Sequence, residues 1–139
     1  MERFELSHSP TTETPPGMVQ DILSAADIAY TIVGPSEDGE AYESSHCIDI
    51  YNAMVPELSS YRIKPASATY LFVPHLYPIL FEPLSQKPII ADCTWQQMLS
   101  RSKRTIEKPK ILIGTSHEVV KALRSYGLTQ EQTIPWTFK

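Results

Sequence analysis

Hydrophobic and polar residues follow two different rhythms along the chain, one typical of helices and one typical of strands. Apolar residues recur near helical spacing from Met18 to about Ala29, which predicts a first helix. Pro15 and Pro16 stand just before it, as is typical of a helix start. The apolar run Thr31 to Val33 predicts a short strand, because Gly34-Pro35 ends it directly. The polar, acidic stretch Ser36 to Ser45 is typical of a loop.

A second helix is predicted to start near Cys47. Five residues that favour burial fall on one helical face: Cys47, Tyr51, Met54, Val55 and Leu58. The preceding pair Ser44-Ser45 offers hydroxyls for the N-cap. Pro56 has no amide hydrogen and clashes one turn back, so we expect a kink or an end of regular helix near Asn52 to Val55.

The centre of the chain has the composition of β-strands. Ser67 to Val73 is rich in β-formers, and His75 to Glu82 and Pro88 to Asp92 are two further apolar runs. The five residues Pro83 to Lys87 separate the last two runs, so we expect a hairpin.

The residue pattern in the last third of the chain predicts a mixture of helix, loop and strand. A helix is expected from about Thr94 to Ser100, a solvated loop over Arg101 to Lys110, and a short buried strand over Lys110 to Ile113. A further helix is expected up to Tyr126, with Ser116 as its N-cap and Gly127 as its C-cap. Three residues of the tail are expected to pack back on the body: Pro135, Trp136 and Phe138.

The length of 139 residues predicts one compact domain. Prolines and small polar residues dominate Ser7 to Pro16, so residues 1–16 are expected to form a mobile or strap-like arm and residues 17–139 the domain. Helices at both ends and strands in the middle predict an α+β fold.

Composition and charge exclude several classes of protein. The chain has no apolar run of 18 residues for a membrane span, and Met1 to Pro16 lacks the apolar core of an ordinary secretory signal. A net charge of −4 without basic clusters is unfavourable for nucleic-acid binding. Two cysteines cannot make a disulfide framework. We therefore expect a cytoplasmic protein, or one exported without an ordinary secretory signal.

Cys47 is the candidate nucleophile, because the first turn of a helix suits a reactive thiol. The unpaired N–H groups and the helix dipole there lower the pKa of a thiol and can also hold an oxyanion. The alternative is a small buried apolar residue, since Cys47 also lies on the apolar face.

His75 and Asp92 are the candidate base and its orienting carboxylate. A hairpin that pairs Ile79 with Pro88 would place His75 opposite Asp92 on one face, with β-carbons roughly 5 Å apart. Such a carboxylate could accept a hydrogen bond from the imidazole, as a catalytic dyad requires. Alternatively, Asp92 caps the helix expected at Thr94, and both roles could hold together.

Other polar and aromatic residues are weaker candidates. His46, Gln96 and Trp95 are candidates for oxyanion or substrate contacts, against the plainer interpretations of a capping histidine, a surface glutamine and a core tryptophan. Cys93 is either a packing thiol, a second reactive thiol or a disulfide partner of Cys47. His117 is expected to be structural. No C-x₂-C or H-x₃-H pair supports a zinc site, and no cofactor is expected.

The order Cys47, His75, Asp92 resembles the transglutaminase-like branch of the papain-like cysteine peptidases. The segment Ile89-Ile90-Ala91-Asp92-Cys93-Thr94-Trp95-Gln96-Gln97 is similar to that family's hydrophobic strand followed by Asp-Pro-Thr-Trp/Tyr-x-Gln, with Cys93 in place of the proline. The segment from Lys110 to Glu118 resembles a strand-Gly-Thr-helix segment of some bacterial members. The resemblance covers roughly Ser44 to Gly127.

The resemblance implies a nucleophile helix packed on a small antiparallel sheet, with flanking helices. It also implies a cysteine-dependent hydrolase or acyltransferase that acts on an amide of a protein or peptide, by hydrolysis, glutamine deamidation or transamidation. Two alternatives remain open. One is a catalytically silent interaction module whose proline-rich arm docks on a protein partner, and the other is a translocated bacterial effector or toxin.

Overall fold

A computed structural model of the chain describes residues 6–33, 47–70, 73–95 and 111–137. In chain order, its elements are helices α1 (Pro16–Val33) and α2 (Cys47–Met54), a 3₁₀ turn (Val55–Leu58), strands β1 (Arg62–Tyr70), β2 (Val73–Phe81), β3 (Pro88–Asp92) and β4 (Leu112–Gly114), helix α3 (Ser116–Ser125) and a C-terminal 3₁₀ helix (Glu131–Trp136). Within these ranges, no helix is long and apolar enough to cross a bilayer.

The four strands form one antiparallel sheet in the order β1-β2-β3-β4, with helices beside it. The expected α+β class is therefore confirmed. Side chains alternate between the two faces of a sheet, and each face has its own core. The first cluster joins α1 and α2 to the sheet and includes Ile22, Tyr30, Met54, Leu80, Ile89 and Ile111. The second cluster joins α3 and the C-terminal 3₁₀ helix to the sheet and includes Tyr77, Ile79, Ile90, Leu112, Leu123 and Trp136.

The pairing of β2 with β3 is shifted by two residues from the predicted register. Phe81 lies opposite Pro88 and Ile79 lies opposite Ile90, rather than opposite Pro88. The turn sets this register, since the Glu82 amide donates to Lys87 O over 2.9 Å and the Gln86 amide donates to Glu82 O over 2.8 Å. A shift by an even number of residues leaves every side chain on its expected face.

The predicted strand Ser67 to Val73 is wrong in its bounds. Strand β1 begins earlier, at Arg62, and the residue Val73 belongs to β2. The sequence did not predict a strand over Arg62 to Ala66, because this part of the chain is polar and contains Pro65. An edge strand tolerates both features, since one side of its backbone is not paired in the sheet.

The short strand expected at Thr31 to Val33 is also wrong, because α1 continues through Val33. Tyr30 is buried and its hydroxyl donates to Cys93 O over 2.5 Å, which holds this end of the helix on the sheet. The Thr31 hydroxyl donates to Asp27 O over 2.9 Å, one turn back. Tertiary packing thus overrides the strand preference of three β-branched residues.

The expected end of regular helix before Pro56 is confirmed. Helix α2 stops at Met54 and a 3₁₀ turn begins at Val55, with Pro56 in its first positions. Of the predicted apolar face, Cys47, Met54 and Leu58 are buried, and Tyr51 and Val55 are half-buried.

The N-cap of α3 lies one residue earlier than the sequence suggested, and the helix begins at Ser116 itself. Thr115, not Ser116, is the N-cap, and its hydroxyl accepts the Glu118 amide over 3.3 Å. The Glu118 carboxylate accepts the Thr115 amide over 3.1 Å in return, which completes a capping box. Gly127 follows the helix with φ of 97°, a conformation that glycine adopts without strain.

Residues 6–15, here called the strap, lie in extended form against the domain. His8 forms a parallel bridge with Ile111, through the Ser9 amide to Ile111 O and the Ile111 amide to Ser7 O, each at 2.9 Å. The Ser9 hydroxyl is fully buried and accepts the Ile113 amide over 2.9 Å. The strap thereby continues the hydrogen bonding of the sheet beyond β4.

Some predictions fall outside the described residues. These are the loop at Ser36 to Ser45 with its capping serines, most of the helix expected from Thr94 to Ser100, the loop at Arg101 to Lys110 and the packing of Phe138.

Candidate active site

His75 and Asp92 form a fully buried pair at the end of the sheet. Nε2 of His75 lies 2.6 Å from Oδ2 of Asp92, and both side chains have essentially no exposed surface. In the observed register, His75 is a diagonal neighbour of Asp92 rather than its direct opposite. The even shift keeps both residues on one face, and the length of the imidazole spans the diagonal.

The carboxylate of Asp92 is saturated with hydrogen-bond donors. Oδ1 accepts the Thr94 amide over 3.0 Å and the Thr94 hydroxyl over 3.4 Å. Oδ2 accepts the indole Nε1–H of Trp136 over 2.6 Å, in addition to facing His75. Donors of this kind compensate a buried carboxylate for the hydrogen bonds to water that it has lost.

Cys47 is the first residue of α2 and its side chain is largely buried. The second ring nitrogen of His75, Nδ1, is buried and has no nitrogen or oxygen partner in the described structure. The Cys47 thiol influences the same ring, since it contributes to the raised pKa of His75. Since Nε2 faces Asp92, Nδ1 is the ring atom left for the thiol.

The two faces of the sheet show where His75 stands relative to α2. His75 stands two residues before Tyr77 on β2, so its side chain lies on the same face of the sheet as the second cluster. Ile50 and Met54 of α2 pack in the first cluster, on the other face. The pairing of β2 with β3 covers only Ile79 to Phe81 of β2. His75 therefore lies beyond that pairing, while it stays paired with Ala68 of β1.

Burial lowers the pKa of His75, but its partners more than offset that effect. The charge and the hydrogen bond of Asp92 raise the pKa, and the hydrogen bond and charge of Cys47 add to the increase. The result is a His75 pKa of about 9, against an ordinary value of 6.5. The imidazole ring is therefore cationic at neutral pH.

Two of the weaker candidates lie outside the described residues. These are His46 and Gln96, whose oxyanion or substrate contacts stay predictions. Trp95 is buried, packs in the second cluster and stacks on Tyr126 with ring centroids 6.0 Å apart. This position matches the core tryptophan that the sequence offered as the plainer alternative.

Cys93 and Cys47 are both thiols, so no disulfide joins them. Cys93 is buried in the first cluster, where its sulfur lies 3.2 Å from the Met54 sulfur. This is the packing role among the alternatives for Cys93. His117 is exposed near the start of α3. Among the described residues, no group of three or more histidine, cysteine or acidic side chains is arranged to hold a metal ion.

Sequence reasoning missed two residues around the site. Trp136 was expected only to pack on the body, yet it donates to Asp92 and lies edge-on to His75 with ring centroids 6.0 Å apart. Tyr77 lies 5.5 Å from the His75 ring, centroid to centroid. Its position two residues after His75 on a strand was the available signal. For Trp136, 44 residues from Asp92, the sequence contains no local signal.

A groove of about 520 Å³ lies between the strap and α3, away from this pair. Its lining includes Thr11, Glu13, His117, Glu118 and Lys121. None of the three candidate catalytic residues borders it.

Comparisons of the chain with protein-family models, with curated proteins and with solved structures gave no match. Functional reasoning therefore depends on the site itself.

Proposed function

We propose that the protein is a cysteine-dependent hydrolase or acyltransferase that acts on an amide through Cys47, His75 and Asp92. The observation that carries this proposal is the polarised imidazole. One ring nitrogen faces a buried carboxylate at 2.6 Å. The other, Nδ1, is buried and has no hydrogen-bond partner in the described structure, and the Cys47 thiol contributes to the raised pKa of the same ring. A nucleophile, a base and a group that orients the base are the three parts that such catalysis requires.

The raised pKa of His75 supports a thiolate–imidazolium pair as the resting form. A cationic ring beside a thiol stabilises the thiolate, which is the nucleophilic form of cysteine. The position of Cys47 at the start of α2 adds the favourable end of the helix dipole. Transfer of the proton from sulfur to His75 then precedes the arrival of the substrate.

The proposed reaction follows from this starting state. The Cys47 sulfur forms a bond to the amide carbonyl carbon, and the carbonyl oxygen takes the electron pair, held by the Cys47 backbone N–H. His75 gives its proton to the amide nitrogen, the carbon–nitrogen bond breaks, and a thioester remains. His75 next takes a proton from water or from an amine, whose attack on the thioester carbon releases Cys47 as a thiolate.

Thiol reactivity measured against pH tests the proposal. We expect Cys47 to be alkylated by iodoacetamide with an apparent pKa well below the ordinary cysteine value of about 8.5. A Cys93→Ala background leaves Cys47 as the only reporting thiol. In that background, His75→Ala is expected to return the apparent pKa of Cys47 toward about 8.5. An ordinary pKa in the unsubstituted site would contradict the activated nucleophile.

An acylation assay separates the enzyme from a catalytically silent module on the same fold. Mass spectrometry after incubation with an activated acyl ester should show an acyl group on Cys47, and Cys47→Ala should abolish it while circular dichroism stays unchanged. Acylation that persists in Cys47→Ala would remove the proposed nucleophile. Ammonia release from glutamine peptides, against new amino termini, then distinguishes deamidation from peptide hydrolysis.

A further inference from the structure

Trp136 supplies a donor to the catalytic carboxylate that the three proposed residues do not account for. Its indole N–H lies 2.6 Å from Oδ2 of Asp92, the same oxygen that faces His75. We propose that Trp136 is a positioning residue for the reaction: its N–H holds the Asp92 carboxylate aimed at His75, and so maintains the Cys47 thiolate. This inference rests on the proposed function and adds a fourth residue to the site.

The backbone around the indole is fixed by two side chains from other elements. The Tyr77 hydroxyl, on β2, donates to Pro135 O over 2.8 Å. The Ser116 hydroxyl, at the start of α3, donates to Trp136 O over 2.5 Å. The indole itself is fully buried. An orientation role needs a rigid donor, and these contacts provide it.

The Trp136 hydrogen bond is important to Asp92 because the carboxylate is buried. A carboxylate with no exposed surface has only protein donors in place of water. Thr94 serves Oδ1, so the loss of the indole N–H would leave Oδ2 with His75 as its one partner among the described residues. Oδ2 would then be held less firmly toward His75, and the contact that orients the imidazole beside the thiol would weaken.

Trp136→Phe tests this role, because it removes the donor and keeps an aromatic ring. In the Cys93→Ala background, we expect the apparent pKa of Cys47 to rise by about one pH unit, and alkylation below that pKa to slow about tenfold. Leu128→Ala is the matched control, since it removes packing from the same cluster and no donor. Its alkylation profile is expected to match that of the parent.

Two results would overturn the inference, and they can be told apart. A low pKa of Cys47 in the parent that persists in Trp136→Phe removes the role of Trp136 and leaves the proposed function intact. An ordinary pKa in the parent removes both. If Trp136→Phe does not fold, 3-benzothienylalanine at position 136 replaces the N–H by sulfur in a ring of nearly the same shape, and the same rise in pKa is expected.

Discussion

The two oxygens of Asp92 have different partners, and each pair of partners belongs to one of the roles that the sequence offered. Oδ1 accepts the Thr94 amide, the kind of contact that a capping aspartate makes, and Oδ2 faces His75, the kind of contact that an orienting aspartate makes. One side chain therefore makes both contacts. The Thr94 amide holds the carboxylate plane and thus the direction in which Oδ2 points.

Asp92→Asn should weaken the nucleophile without a large change in side-chain volume. The amide carries no charge, so the pKa of His75 is expected to fall toward its ordinary value, and the imidazolium that supports the Cys47 thiolate is lost at neutral pH. We expect alkylation of Cys47 at pH 7 to slow by at least tenfold. The ¹⁵N chemical shifts of the His75 ring, followed against pH, would report the fall directly.

An unchanged His75 titration in Asp92→Asn would show that Asp92 does not control the charge of the ring. Thr94→Val provides the control, because it removes the longer hydroxyl contact to Oδ1 and retains the Thr94 amide bond. It is expected to leave the His75 pKa nearly in place.

Single residues of the site were predictable from the sequence where neighbours along the chain carry the signal. Cys47 follows from its place at the head of an apolar helical face, and Asp92 from its place at the end of an apolar strand. The register was not predictable, because the turn hydrogen bonds of Glu82 and Gln86 decide it. The contact of His75 with Asp92 tolerated this error only because the shift is even.

At the scale of elements, Glu118 joins two parts of the fold, the start of α3 and the strap. Its carboxylate closes the capping box of α3 with Thr115, and it accepts the Thr11 hydroxyl and the Thr12 amide of the strap, each over 2.6 Å. Burial raises the pKa of Glu118, but these donors outweigh that effect and lower it. The strap and the start of α3 thus depend on one ionised side chain.

Glu118→Ala should destabilise both elements. Loss of the capping box alone costs about 1 kcal/mol, and loss of the strap contacts adds to it, so we expect the free energy of unfolding to fall by about 2 kcal/mol. Urea denaturation measures the change, and limited proteolysis should show earlier cleavage within residues 6–15. Lys121→Ala, exposed on the same helix, is the control and should change stability by less than about 0.5 kcal/mol. Equal stabilities of the two variants would refute the role of Glu118.

The elements were predictable to different extents for physical reasons. Strand β3 has the predicted bounds because it is a continuous apolar run with buried residues on both faces. Strand β1 was predicted too late, because its first residues are polar and lie at the edge of the sheet. The end of α1 was predicted too early, because Tyr30 gains its partner from Cys93, 63 residues away.

For the molecule as far as the structure describes it, His75 and Glu118 are two buried or partly buried groups that make stability depend on pH. The pKa of His75 is raised in the folded state to about 9 from 6.5, so its stabilising contribution is complete below pH 6.5 and is lost as the pH rises to about 9. The pKa of Glu118 is lowered from 4.5, so its contribution is present above pH 4.5 and is lost as the pH falls.

In Cys47→Ala, which removes the opposing titration of the thiol, the free energy of unfolding is therefore expected to decline as the pH rises between 6.5 and about 9. Urea denaturation at a series of pH values measures this slope. When Asp92→Asn is added to Cys47→Ala, the slope over the same window should be much smaller, since the pKa of His75 would lie near its unfolded value. Parallel slopes in both proteins would contradict the assignment of this window to His75.

The arrangement of the sheet has a consequence for the order in which the chain folds. Strands β1 to β4 pair in the order of the sequence, so β1–β2 and β2–β3 close short loops at little entropic cost. The strap instead joins residues more than 100 positions apart, as Ser9 with Ile113 and Thr11 with Glu118. Its contacts are expected to form after the folding transition state, so the stability lost in Glu118→Ala should appear as faster unfolding at an unchanged folding rate. The strap would then lower the rate of unfolding and so lengthen the lifetime of the folded site.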